Sequence, residues 1–266
     1  MQVMSMKYDK VVFFDIDHTV FDPNRHTVPE DTVKAFKALH ARGDTLIAVA
    51  TGRALYMLDV IAPVLPYVDV SITINGQIIA YRDKVLFDQP MTTAMIVEIR
   101  KALIRHALVY GYIGAHGQGI SRLDDAAKAQ FALADMPLPE VDALYFRKHR
   151  VYQMWAFASK AQFAELAKDL PDYQLVPWLS DGFDVVLTGR SKKDGITFIL
   201  DYFDIPLENS YAFGDGMNDI EMLAYVPNSV AMGNSKPPVK AVALHVTKAY
   251  DAGGISSGLR HFGLIE

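Results

Sequence analysis

Short apolar runs recur along the chain, each closed by a polar turn and followed by a segment of helical periodicity. Residues 11–14 (Val-Val-Phe-Phe) are uninterrupted apolar positions that Asp15 ends. A run with no polar face predicts a strand covered on both sides, as in a parallel sheet. Residues 46–50 repeat this pattern and lead straight into Thr51-Gly52-Arg53, and 71–74 form a third strand ending at the turn pair Asn75-Gly76. A helix is predicted over 29–42. Pro29 suits its first position, Glu30 and Asp31 favour the positive end of its dipole, and Gly43 can end it. Val33, Phe36 and Leu39 recur at helical spacing on its inner face. The alternation resumes after residue 190. A helix over 191–203 carries Ile196, Ile199 and Phe203 on one face, then come a strand at 211–213, a helix, a short strand at 230–232 and a last helix near 255–262.

The middle of the chain has a different rhythm. Helices are predicted near 92–107 and 160–170, and strands that read as antiparallel near 151–158 and 183–187. Gly and Pro interrupt it, as in the glycine-rich stretch 111–119 and in Met136-Pro137-Leu138-Pro139. The whole predicts an α/β fold with a doubly wound parallel sheet, a Rossmann-like core, interrupted by an inserted α+β domain. The expected borders are 1–82 for the first core segment, 83–188 for the insert and 189–266 for the second core segment.

Composition narrows the function. The chain has 266 residues, 51% of them hydrophobic, enough for one large domain or two modest ones. A net charge of -5 gives no global attraction to nucleic acid. The absence of cysteine excludes disulfides, thiolate zinc sites and cysteine nucleophiles, and fits a reducing compartment. No apolar segment is long enough to cross a bilayer, so a soluble cytoplasmic protein without a membrane partner is expected.

Three polar motifs each follow an apolar strand: Asp15-Ile16-Asp17-His18-Thr19, Thr51-Gly52-Arg53 and Gly214-Asp215-Gly216-Met217-Asn218-Asp219. Ligands of open parallel sheets bind outside the carboxyl ends of the strands, so the three should converge. Asp15, Asp17 and Asp215 would then crowd carboxylates at a poorly solvated edge, which a hard divalent cation with oxygen ligands, Mg²⁺, would relieve. Thr51 and the backbone N–H groups near Gly52 could donate to phosphoryl oxygens, and Lys192 or Lys193 could supply positive charge. Each piece alone is commonplace. The last motif is the most specific, because a tight turn explains its glycines but not its three acidic and amide groups.

Together, Asp15-x-Asp17-x-Thr19, Thr51, Lys192 and Gly214-Asp215-Gly216-Met217-Asn218-Asp219 resemble the haloacid dehalogenase-like superfamily, at matching spacing over nearly the whole chain. Ala50-Thr51-Gly52-Arg53, Ile74-Asn75-Gly76, Ala231-Met232-Gly233-Asn234 and Gly253-Gly254-Ile255 narrow the resemblance to its Cof-like phosphatases, with an α/β cap of type IIB. The resemblance implies that the insert is the cap, closing over the site and selecting the substrate. It implies Asp15 as nucleophile and Asp17 as general acid and base. Mg²⁺ would sit on the side chains of Asp15 and Asp215 and the main-chain oxygen of Asp17. Thr51, Gly52, Lys192 and Asn218 would hold phosphoryl oxygens, with Asp219 supporting the metal waters or Lys192. Lys192, three residues before Gly195, fits the family pattern better than Lys193. His18 stands where the family has Gly and reads as structural. The implied reaction is hydrolysis of small phosphate monoesters, such as a sugar phosphate or pyridoxal phosphate, by a monomer or small homo-oligomer. A phosphomutase, a transport ATPase, a receiver-like domain and a catalytically silent phosphate-binding protein are the competing readings.

Overall fold

The computed structural model describes residues 8–133, 137–177, 181–187 and 191–266. The chain divides into two compact units, Met1–Asp88 with Ser191–Glu266, and Gln89–Arg190. In chain order the first segment supplies β1 (Lys10–Phe14), α1 (Glu30–Ala41), β2 (Thr45–Ala50), β3 (Val70–Thr73), β4 (Ile78–Tyr81) and β5 (Lys84–Asp88). The middle supplies α2 (Thr93–Arg105), β6 (Val109–Ile113), β7 (Gln118–Ile120), α3 (Asp125–Leu133), β8 (Glu140–Val141), β9 (Gln153–Phe157), α4 (Lys160–Asp169), β10 (Tyr173–Pro177) and β11 (Gly182–Leu187). The last segment supplies α5 (Lys192–Phe203), β12 (Ser210–Gly214), α6 (Ile220–Tyr225), β13 (Asn228–Ala231), α7 (Pro237–Val242), β14 (His245–Val246) and α8 (Gly254–His261).

The first unit is built on one sheet in the order β14-β13-β12-β1-β2-β3-β4-β5. The strands from β14 to β3 are parallel, and β4 and β5 are antiparallel additions at one edge. From β1 the chain winds outward through β2 and β3. It later returns on the other side of β1 through β12, β13 and β14, which makes the sheet doubly wound with its switch point at β1 and β12. Strand β1 is buried on both faces, as an all-apolar run requires. Val12 and Phe14 pack with Phe36 and Leu39 of α1 and Leu259 of α8, while Val11 and Phe13 pack with Ile196 and Ile199 of α5. Pro29 sits one place earlier than expected, at the cap of α1 rather than inside it, and Gly43 takes the left-handed conformation (φ 73°) just beyond the helix.

The expected border after residue 82 moves. Residues 82 and 83 form the tight turn of a hairpin, with Arg82 left-handed, and β5 returns to pair with β4. The first segment therefore runs to Asp88. The expected border at 188 and 189 lies outside the described residues. The second unit has its own sheet, β10-β11-β9-β6-β7-β8, antiparallel except for the β7–β8 pair, and its own core, in which α2 and α4 contribute Ile96, Ile99, Leu103 and Leu166. The glycine-rich stretch read as punctuation is the β6–β7 hairpin.

Candidate active site

The sheet brings the three motifs to neighbouring strand ends, since β12, β1 and β2 lie side by side. The Asp15 N–H continues the parallel register by donating to Phe213 O at 2.9 Å. The chain then curls: Ile16 O accepts from the N–H groups of Thr19, Val20 and Phe21 at 3.3, 2.9 and 2.8 Å. His18 completes the curl in the left-handed region (φ 56°), the reason glycine suits this place, and its exposed ring meets Tyr250 edge-on at 5.6 Å. At the end of β2, buried Thr51 donates its N–H to Ile72 O (2.9 Å), and its hydroxyl accepts from the N–H of Arg53 (3.1 Å). Beyond β12, Asp219 curls back so that its Oδ2 accepts from the N–H groups of Asp215 (2.9 Å) and Gly216 (2.8 Å).

Lys192 is the centre of the cluster. It begins α5, whose first turn is closed by the Ser191 N–H donating to Asp194 Oδ2 at 2.9 Å. Gly195 lets the helix press onto β3, because a Cβ there would collide with the Ile72 side chain. The Lys192 side chain is 1% exposed, and its ammonium donates to Asp15 Oδ1 at 2.5 Å and to Asp219 Oδ1 at 2.7 Å. Lys193 faces solvent, with its ammonium 5.2 Å from the Tyr225 ring centre. Of the two lysines, Lys192, the one that fits the family pattern better, is the buried one.

Among the described residues, Asp15, Asp215 and Asp219 each offer an oxygen within 4.8 Å of the others. Asp219 is engaged by Lys192 and two N–H groups, so the negative charge left over belongs to Asp15 and Asp215. Burial, then the Asp219 charge, pushes the Asp15 carboxyl well above its usual range even though Lys192 opposes the shift. The same two causes push Asp215 up to about 7. Lys192 is held charged by Asp15 and Asp219 against the desolvation that opposes it. An excess of buried carboxylate over cation, with hard oxygen donors only, fits a divalent cation such as Mg²⁺.

Two expected residues stand outside this cluster. Asn218 is exposed on the single 3₁₀ turn Met217–Asp219, with its side chain over Gly216. The Asp17 carboxylate turns to Arg53, which grips it through two hydrogen bonds, Nε to Oδ2 at 2.8 Å and a terminal nitrogen to Oδ1 at 2.7 Å. The guanidinium also lies 5.7 Å from the Phe21 ring centre. Sequence reasoning quoted Arg53 as part of the Thr51-Gly52-Arg53 motif but gave it no role of its own. The available signal was an arginine at the end of a buried strand near unpaired carboxylates. Asn234 was likewise quoted without a role, yet its amide donates to Asp215 Oδ2 at 3.1 Å.

Comparison with known proteins agrees with this geometry. The family model of haloacid dehalogenase-like hydrolases matches residues 12–259. YkrA of Bacillus subtilis, whose name proposes a phosphatase, is 30% identical over 97% of this chain and 99% of its own. A Streptococcus pyogenes protein whose name proposes a bifunctional phosphatase/peptidyl-prolyl cis-trans isomerase is 34% identical, and the chain spans about half (54%) of its length. Among solved structures, a hypothetical protein of Geobacillus kaustophilus superposes with a TM-score of 0.90 at 33% identity, covering 96% of this chain and 99% of that one. The subclass IIB sugar phosphatase BT4131 superposes with a TM-score of 0.85 at 29% identity, covering 96% and 100%. With its Asp15 loop, its Thr51 turn and its Lys192 cluster on adjoining strand ends, the chain belongs to the haloacid dehalogenase-like hydrolase family and is an enzyme of its phosphatase type.

Proposed function

We propose that this enzyme hydrolyses small phosphate monoesters through an aspartyl-phosphate on Asp15, with Mg²⁺ as its cofactor. The observation that carries the reading is Lys192, buried at the switch point of the sheet between Asp15 and Asp219. A buried ammonium with one oxygen of a strand-end carboxylate suits a site that must hold a phosphoryl group beside a nucleophile.

In the first step Asp15 attacks phosphorus in line, the ester P–O bond breaks, and Asp17 gives its proton to the departing alkoxide. In the second, Asp17 takes a proton from water as that water attacks phosphorus, and the bond from phosphorus to the Asp15 oxygen breaks. Thr51, the Gly52 N–H, Lys192 and Asn218 would hold the phosphoryl oxygens, and Asp219 would keep Lys192 charged and aimed. The side chains of Asp15 and Asp215 and the main-chain oxygen of Asp17 would hold Mg²⁺, which supplies neutralisation of phosphoryl charge. Arg53 ties up the Asp17 carboxylate at rest, so the pair must open and Asp17 must take up a proton from water before it can protonate a leaving group.

The unit Gln89–Arg190 fits the role of the inserted cap and would carry substrate selection. A sugar phosphate is favoured as substrate by the likeness to a sugar phosphatase; a cofactor phosphate such as pyridoxal phosphate is the other class. The partner would be a small phosphorylated metabolite of the cytoplasm, as the phosphatase family implies. The test is a panel of phosphate monoesters assayed with Mg²⁺ for released inorganic phosphate. Turnover that Asp15→Asn abolishes supports the reading. Transfer of phosphate between hydroxyls without net release would replace it with a phosphomutase.

A further inference from the structure

Asn234 lies in the turn after β13, and its side chain meets three other stretches of chain. Its Nδ2 donates to His18 O, in the loop after Asp15, and to Asp215 Oδ2, both at 3.1 Å. Its Oδ1 accepts the N–H of Tyr250 at 3.3 Å. The orientation of the amide follows from these partners, since a carbonyl and a carboxylate can only accept and an N–H can only donate. Tyr250 in turn supports the nucleophile loop, by the edge contact with His18 and by accepting from Asn24 Nδ2 at 2.8 Å.

The turn that presents Asn234 is fixed independently of these bonds. The Gly233 N–H donates to Lys248 O at 3.0 Å, and Lys240 Nζ donates to Gly233 O at 2.6 Å. A Cβ on Gly233 would lie 2.6 Å from Ala249 N and 2.7 Å from the Lys248 carbonyl carbon, so backbone packs directly on backbone there. Asn234 itself is exposed, where water competes for its partners and global stability gains little.

We propose that Asn234 is a positioning residue: one amide fixes the Asp215 carboxylate relative to the loop that follows Asp15, and thereby sets the affinity of the cation site. The inference rests on the metal-dependent reading above. An aspartate there would remove both donors and place a like charge beside Asp215. An alanine would leave the Asp215 oxygen and the His18 carbonyl without this partner, free to move apart.

The test is Mg²⁺ titration by calorimetry of the full chain and of Asn234→Ala, with thermal unfolding of each in chelator. Mg²⁺ affinity should fall about tenfold, the lower range for losing a group that orients a metal ligand. The unfolding temperature in chelator should change little. Asn234→Gln, which keeps both donors, should recover part of the affinity. A Mg²⁺ affinity for Asn234→Ala within twofold of the unaltered protein overturns the proposal, as does loss of the folded state in chelator, which would make the residue structural. Absence of Mg²⁺ binding by the unaltered protein would instead sink the metal reading, and this inference with it.

Discussion

Replacing Lys192 with Met keeps the length of the side chain and removes its charge, which isolates what the ammonium does. Two charge-assisted hydrogen bonds vanish, at 2.5 Å to Asp15 and 2.7 Å to Asp219, from a place where both carboxylates are almost wholly buried. Breaking a buried ion pair by removing one partner costs about 3–5 kcal/mol, because the other partner is left uncompensated. Each kcal/mol moves the unfolding temperature by roughly 2–4 °C in a unit of this size. The metal-free variant should therefore melt roughly 10 °C lower. Turnover should fall about 10²–10³-fold, the usual effect of removing one well-placed electrostatic contact. The change has a counterintuitive partner. With the ammonium gone the carboxylate cluster is more negative, so Mg²⁺ should bind more tightly and recover more unfolding temperature than it adds to the unaltered protein. Lys193→Ala is the control. It loses an exposed cation–π contact with Tyr225, worth about 0.5–1 kcal/mol, and should leave turnover within about twofold. Thermal unfolding in chelator and in Mg²⁺, with phosphate release on the best ester, measures all of this. Turnover of Lys192→Met within tenfold of the unaltered enzyme, or an equal loss in Lys193→Ala, would refute the reasoning.

Asp17→Asn should let Asp15 attack an ester with a good leaving group such as a nitrophenyl phosphate, yet stall before hydrolysis; acid quenching and mass spectrometry should then find phosphate on the peptide containing Asp15. Activity should disappear in excess chelator and return with Mg²⁺, while Ca²⁺ should inhibit, because its preference for bidentate carboxylates would occupy the attacking oxygen of Asp15. A carboxyl raised to about 7 binds a proton in the folded chain that the unfolded chain has released, so the contribution of Asp215 to metal-free stability is present at about pH 4 and lost as pH rises through 7. Melting with and without Mg²⁺ between pH 5 and pH 8 should accordingly show the stabilisation by Mg²⁺ growing with pH.

What could be read before the structure was the part that depends on local pattern. Strands β1 and β2 announce themselves because burial on both faces leaves no polar position between residues 11–14 or 46–50, and α1 because its inner face repeats at helical spacing. Several of the strands left unread are short, partly exposed or glycine-containing: β14 has two residues, β5 begins with two exposed positions, and β6 and β7 carry glycines at Gly111 and Gly119 that resemble a loop in sequence. The end of the first core segment was placed too early for the same reason, since the hairpin turn at 82–83 looks like a linker until β5 is seen pairing back.

The site divides along a similar line. Residue types at strand ends point to Asp15, Thr51 and Asp215, because the sheet order itself makes those ends neighbours. The pairing of Asp17 with Arg53 and of Asp215 with Asn234 joins residues 36 and 19 positions apart through the paths of two loops, and no periodicity encodes it. The two lysines show the limit most clearly. They are adjacent and chemically alike, so a sequence reading must borrow a family pattern to choose between them. On a helix, neighbours point about 100° apart. Once Gly195 seats α5 against Ile72, that rotation alone sends Lys192 beneath the strand ends and Lys193 towards Tyr225 and water. The distinction between a buried, carboxylate-bound ammonium and a solvated one thus rests on the glycine three residues away from Lys192. It follows that Gly195→Val, which touches neither carboxylate, should lower turnover by displacing Lys192, and should do so while Lys193→Ala does not.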